Sequence, residues 1–279
     1  MDWFRETLHE HFQQGLKINR LIYEGRTEFQ AVQVFENETF GRVLTLDAVV
    51  QTTEADEFIY HEMLAHVPLF AIEEPKQALI IGGGDGGALR EVLKHPLEGA
   101  TMVELDPGVV QLSREHLPSL SAGAFEDPRA ELIIGDGAKF LAETDRRFDL
   151  IIIDSTDPVG PGEVLFTEEF YRNCQRCLTD QGILITQNGV PFVQRSEFHK
   201  SRRIFETLFR VPNFYFAAVP TYALGDMAFG CASDGTDAAN VPLDTLQARY
   251  RKAGIATRYY TPELHRAVFA RPAYLLEEE

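Results

Sequence analysis

The chain has 279 residues, 44% hydrophobic and 25% charged, with a formal net charge of -17. That length can bury a full core in one large domain with a small appendage, while the acidic balance opposes nucleic acid and anionic membranes, which both ask for basic patches. No apolar run approaches the roughly 18 residues of a membrane span, and the start Met1-Asp2-Trp3-Phe4-Arg5-Glu6 lacks a basic region followed by an apolar stretch, so a cytoplasmic protein is expected.

From about residue 15 to residue 53 apolar and polar residues alternate, as in Leu16-Lys17-Ile18, Ala31-Val32-Gln33-Val34-Phe35 and Arg42-Val43-Leu44-Thr45-Leu46. Turn signals at Glu24-Gly25, Glu36-Asn37 and Phe40-Gly41 divide them, which predicts a small antiparallel sheet. The period becomes helical from Glu54, with Phe58, Ile59, Met63, Leu64 and Val67 recurring until Pro68. A boundary near residue 54 follows, with an N-terminal β-sheet domain over 1–54 and a catalytic domain over 55–279.

Apolar runs then alternate with helical segments: Ala78-Leu79-Ile80-Ile81, Thr101-Met102-Val103, Leu132-Ile133-Ile134, Leu150-Ile151-Ile152-Ile153 and Ile183-Leu184-Ile185. Such runs predict a doubly wound parallel sheet covered on both faces. Phe214–Val219 and Met227–Ser233 read as two late strands joined by a short turn at Leu224-Gly225-Asp226, the arrangement of the methyltransferase-type Rossmann-like fold. Cys174 and Cys177 have the spacing of half a zinc site, but no second Cys or His pair completes it. They fall on an amphipathic helix, where packing explains them, and no metal is expected. The acidic end Glu277-Glu278-Glu279 is expected to fray.

Four places carry chemistry. Gly82-Gly83-Gly84-Asp85-Gly86-Gly87 joins a strand to a helix and satisfies G-x-G-x-x-G. Asp85 in that loop repels a pyrophosphate and attracts a sulfonium or ammonium, which argues against NAD; alternatively it caps the helix that follows. Glu104, at the tip of the next strand, is placed to accept both ribose hydroxyls. Asp136 ends the third strand and either accepts from an adenine amino group or caps the helix from Ala138. The sharpest signal is Asp154-Ser155-Thr156-Asp157-Pro158-Val159-Gly160-Pro161-Gly162, which leaves the carboxyl end of the fourth strand with two acids three apart. A mobile lid over a cationic substrate is the expectation there.

These stretches, together with WFRE, LDAVVQTTEADEFIYHEML, MVELD, TQNGVPF and PTYALGDMAFG, resemble the polyamine aminopropyltransferases, the bacterial spermidine synthases among them, in order over nearly the whole chain. The resemblance implies transfer of an aminopropyl group from decarboxylated S-adenosylmethionine, a co-substrate rather than a bound cofactor, to putrescine. Spermidine and methylthioadenosine would result. By position it implies Asp154 as proton acceptor, helped by Asp157 in holding the diamine. Asp85 and His61 would meet the aminopropyl or polyamine chain, and Tyr60 and Tyr222 would line the diamine channel. Gln30, Gly82, Gly84, Glu104, Asp136, Gly137 and Pro161 would hold the nucleoside, and a homodimer is implied. Ala48 stands where the family usually has glycine and Ala223 where a proline is frequent, with Asp226 nearby. The alternatives are an S-adenosylmethionine-dependent amine N-methyltransferase on the same fold and a polyamine-binding protein without catalysis.

Overall fold

The computed structural model describes residues 2–156 and 160–276; Asp157 and the end 277–279 lie outside them. Two short strands, β1 (Trp3–Arg5) and β2 (Gly15–Lys17), pair antiparallel. A second sheet follows in chain order from β3 (Arg20–Arg26), β4 (Ala31–Asn37), β5 (Gly41–Leu46) and β6 (Val49–Thr53), so the expected small sheet is two. Glu24-Gly25 is no turn. Gly25 lies inside β3, where a Cβ would stand 2.5 Å from the Tyr23 hydroxyl. The reversal falls at Thr27–Gln30, closed by Thr27 N–H donating to Gln30 O at 2.9 Å.

Helix α1 (Glu57–Ala71) is buried on nearly every side. It passes through Pro68, where the sequence period was read as ending. Proline forfeits one N–H bond and costs about 3 kcal/mol in a helix interior. Here its carbonyl still accepts from Ile72 N–H, and the last turn buries Leu69 and Phe70, each side chain contributing about 1.5–3 kcal/mol.

The rest of the chain alternates strand and helix: β7 (Gln77–Gly82), α2 (Gly87–Leu93), β8 (Gly99–Glu104), α3 (Pro107–His116), α4 (Pro118–Ser121), β9 (Ala130–Ile134), α5 (Gly137–Glu143), β10 (Phe148–Asp154), α6 (Glu168–Cys177), β11 (Leu178–Gln187), α7 (Arg195–Leu208), β12 (Val211–Ala217), β13 (Met227–Ser233), α8 (Leu243–Ala253) and α9 (Pro262–Ala267). The seven strands order as β12-β13-β11-β10-β7-β8-β9. Those from β9 to β11 are parallel, and β13 runs antiparallel to both neighbours. This is the Rossmann-like, methyltransferase-type doubly wound sheet the sequence predicts. The late hairpin differs in detail, because nine residues, 218–226, join its strands.

Continuous apolar runs follow from burial of both faces. Ile80, Leu150, Ile152 and Ile185 point to the core shared with α1. Leu79, Ile81, Ile151, Ile153 and Leu184 point to the opposite core with Phe170 and Phe205. Cys174 and Cys177 lie buried in that second core on α6. The four-stranded sheet packs Val32, Val34 and Leu44 against Val109 and Leu112 of α3, which sets its edge beside the carboxyl ends of β7, β8 and β10. Among the described residues no helix is long and apolar enough to cross a membrane.

Candidate active site

The chain leaves β7 toward β8 on one side and later returns as β10 on the other, and at such a reversal an open α/β sheet leaves a crevice at its carboxyl edge. A cavity of about 650 Å³ lies there. It is lined by Gln30, Tyr60, His61, Gly82, Gly84, Asp85, Glu104, Asp136, Gly137, Asp154 and Tyr222. Eleven residues singled out from the sequence therefore meet in one place. Asp157 and the side chain of Pro161 lie outside the described residues.

The glycine loop fits against the end of β10. Gly82 has φ +82, and a Cβ there would fall 2.2 Å from the Asp154 carbonyl. Only glycine combines that left-handed backbone with that approach, and Gly83 N–H donates to the same carbonyl at 2.9 Å. Asp85 caps the helix that follows and also lines the cavity. Its Oδ1 accepts from Gly87 N–H at 2.7 Å at the start of α2, and its Oδ2 lies 3.4 Å from His61 Nε2.

Asp154 ends β10 beside this loop. Tyr60, one helical position before His61, donates its hydroxyl to Asp154 Oδ1 at 2.7 Å. Burial, and then the charge of Asp85, push the Asp154 carboxyl up to about 6, against the pull of His61 and Tyr60. Burial and Asp154 hold the Tyr60 hydroxyl well above its usual range, so it stays a donor. For His61 burial works to lower the pKa, but Asp85 and then Glu57 outweigh it and raise it well above 6.5. Asp85 in turn stays below the ordinary carboxylate value despite its burial, chiefly through His61.

On the far side of the loop Glu104 accepts from Asp106 N–H at 2.8 Å. Burial raises its pKa to about 7, with the charges of Asp106 and Asp154 adding to the effect. Gln30 sits in the reversal before β4, where its amide donates to Asp106 Oδ2 at 2.9 Å beside the Thr27 hydroxyl. The residue also lines the cavity. Asp136 Oδ1 caps α5, accepting from Ala138 and Lys139 N–H, and the residue also forms cavity wall.

The cavity wall at Tyr222 is built by distant segments. Tyr222, in the 218–226 connection, donates to Gln51 O at 2.5 Å, and its ring stands edge-on to Tyr60 at 5.8 Å. Asp56 fixes that connection, accepting from Thr221 N–H at 2.8 Å and from Thr53 at 2.6 Å. Ala48 takes φ +62 beside Asp47 at φ +45, so the turn keeps the left-handed shape for which glycine is the easy residue.

Several members were not singled out from the sequence. Glu57 bonds His61, Asp106 holds Gln30, and Gln187 donates to the carbonyls of Ser155 and Thr156 at 3.1 and 3.2 Å. The Glu57 spacing of four from His61 was a readable signal; the other two contacts are tertiary.

A doubly wound sheet with a terminal antiparallel hairpin and an acidic crevice at its switch point defines a Rossmann-like protein of the methyltransferase type. Within that class the chain belongs to the spermine/spermidine synthase family. The family model described as spermine/spermidine synthase domain matches residues 57–242, and one described as spermidine synthase tetramerisation domain matches residues 2–54. A polyamine aminopropyltransferase of Ruegeria sp. is 56% identical, over 98% of this chain and 96% of its own. Polyamine aminopropyltransferase 1 of Pseudomonas aeruginosa is 52% identical over 99% and 97%. A spermidine synthase crystallised with the transition state analogue AdoDATO superposes with TM-score 0.93 at 41% identity, over 98% of this chain and 93% of that one. The spermidine synthase of Thermotoga maritima gives 0.90 at 39%, over 98% and 92%.

Proposed function

We propose that the protein is a spermidine synthase that moves the aminopropyl group of decarboxylated S-adenosylmethionine to putrescine. The observation that carries this reading is the Tyr60–Asp154 pair facing Asp85 in one acidic cavity, with Glu104 across the glycine loop. The nucleoside would lie between Glu104, Gln30 and Asp136, its ribose hydroxyls donating to Glu104. That contact favours the ionised carboxyl, so binding near pH 7 should release a proton.

The amine nitrogen attacks the aminopropyl carbon next to sulfur. As the new C–N bond forms the C–S bond breaks, its electron pair goes to sulfur, and neutral methylthioadenosine leaves. The amine must first lose a proton, which costs about 4 to 5 kcal/mol at neutral pH for a group of pKa near 10.4. Asp154, raised to about 6 and aimed by Tyr60, is a better acceptor than an ordinary carboxylate. Alignment of nitrogen and carbon can supply about 7 to 11 kcal/mol more.

Asp157 and Pro161 belong to the same proposal by position, as do the division near residue 54 and a cytoplasmic location. The description of the 2–54 model supports self-association; a dimer is proposed, and light scattering tests it. Mass spectrometry of products from the decarboxylated donor and a panel of diamines tests the reaction. Spermidine and methylthioadenosine from putrescine are expected, whereas methylated amine from S-adenosylmethionine, or no product at all, would overturn the reading.

A further inference from the structure

We infer that Glu57 is a positioning residue: together with Asp85 it clasps the His61 ring as an imidazolium, which keeps Asp85 ionised toward the ammonium end of the donor. The donor part of this statement rests on the aminopropyl-transfer reading; the state of the histidine does not.

The ring of His61 is 2% exposed, so its two nitrogens find partners in the protein or not at all. Nδ1 lies 2.6 Å from Glu57 Oε2, and Nε2 lies 3.4 Å from Asp85 Oδ2. A neutral imidazole has one N–H and one lone pair, and either tautomer would turn its lone pair toward a carboxylate. The imidazolium alone donates on both sides. Glu57 is itself kept as an anion, because Arg90 Nη1 and Nη2 donate to its two oxygens at 3.1 and 2.8 Å. The ring is also fixed in place, since a Cβ on Gly87 would stand 2.2 to 2.6 Å from three of its atoms.

The groups around His61 are Glu57 and Tyr60 on α1, Asp85 in the glycine loop, Arg90 and Glu91 on α2, and Asp154 at the end of β10. Glu57 with Arg90 and His61 with Asp85 are two neutral pairs. Without the Glu57 charge, Arg90 keeps Glu91, which meets its Nε at 2.7 Å, while the imidazolium keeps Asp85 alone and loses the anion at Nδ1. The ring then holds its proton less firmly, and where that proton is lost Asp85 loses the cation that keeps it ionised in a buried wall.

The test uses Glu57→Gln in the full chain and compares equilibrium binding of the decarboxylated donor with that of methylthioadenosine, which lacks the ammonium. Donor binding is expected to weaken about tenfold at pH 8, the scale of one charged hydrogen bond. It should recover to within about twofold at pH 6, where the ring regains its proton, while methylthioadenosine stays within about twofold at both. Equal weakening at both pH values, parallel loss of methylthioadenosine binding, or no weakening would overturn the inference. Imidazole ¹⁵N spectra of the unaltered protein at pH 8 decide the matter even if the variant does not fold. Two protonated nitrogens on His61 are expected and a neutral ring would refute it. Failure of the unaltered protein to make spermidine would sink the reaction, leaving these spectra to judge the histidine separately.

Discussion

Helix α1 carries two buried histidine–carboxylate clusters, and they have opposite electrostatics. At its amino-terminal end His61 stands between Glu57 and Asp85 and is held as a cation. Five residues further, His66 lies 2.9 Å from Glu91 on one side and 2.9 Å from His95 on the other. Of the two rings His66 alone reaches Glu91, which also takes Arg90 and Lys94, while His95 meets His66, beneath Phe70 and Tyr260. Burial and then the neighbouring His66 drive His95 well below its usual value, and the opposing charge of Glu91 does not compensate. Residue type is the same in both places. The number of acceptors around each ring and the presence of a cavity wall decide which cluster can serve chemistry and which can only hold helices together.

The largest effect that separates the two belongs to the cavity side. Asp154→Asn should lower turnover about 10²–10⁴-fold, the range for a lost general base, while binding methylthioadenosine normally, because the remaining oxygen can still accept from Tyr60. In the unaltered enzyme kcat/KM should fall roughly tenfold per pH unit below about 6, where Asp154 becomes protonated and can no longer accept. Turnover within threefold of wild type in the variant would remove Asp154 from the role.

On the sealed side, Glu91→Gln should destabilise the fold by roughly 1–3 kcal/mol in urea titrations by leaving buried partners unmatched, with donor affinity unchanged. A tenfold loss of donor affinity would merge the two clusters into one. Acid should act on the sealed cluster as well. His95 has a depressed native pKa, so the unfolded chain takes up its proton first. The stability this residue contributes is full above about 6.5 and is lost as pH falls below that value. His95→Gln should therefore flatten the urea midpoint between pH 7 and 5; an unaltered slope would show that the acid loss arises elsewhere. The smallest effect lies away from both clusters, at Ala48 with φ +62. Ala48→Gly should stabilise by up to about 1 kcal/mol through relief of the left-handed backbone, seen as a higher thermal midpoint with no change in turnover.

Legibility from sequence follows the range of the interactions. The parallel strands were readable because burial on both faces writes itself as unbroken apolar runs, and the glycine loop with Asp85, Glu104 and Asp136 because each acid lies at or within three residues past the end of its own strand. Glu24-Gly25 misled because a strand glycine that makes room for Tyr23 looks like a turn. Pro68 misled because a local breaker was weighed without the packing around it. Asp85 and Asp136 could not be assigned between capping and cavity, and the structure shows why: each carboxylate caps a helix within the cavity wall. Asp106 and Gln187 act through partners 76 and 32 residues away, a distance that no local pattern encodes.

The two ends of the cavity also differ in how they are assembled. The wall at the glycine loop and Glu104 is organised around short segments that follow one another at the ends of β7 and β8. The wall at Tyr60 and Tyr222 draws on the whole chain: Tyr60 meets Asp154 across 94 residues, Thr221 meets Asp56 across 165, and Tyr222 meets Gln51 across 171. Contacts of such separation are made late and at high entropic cost, and a local opening of 218–226 breaks two of them together. On the proposed reading, a local opening of 218–226 should cost amine binding before nucleoside binding, so turnover would report completion of the fold more strictly than nucleoside binding does.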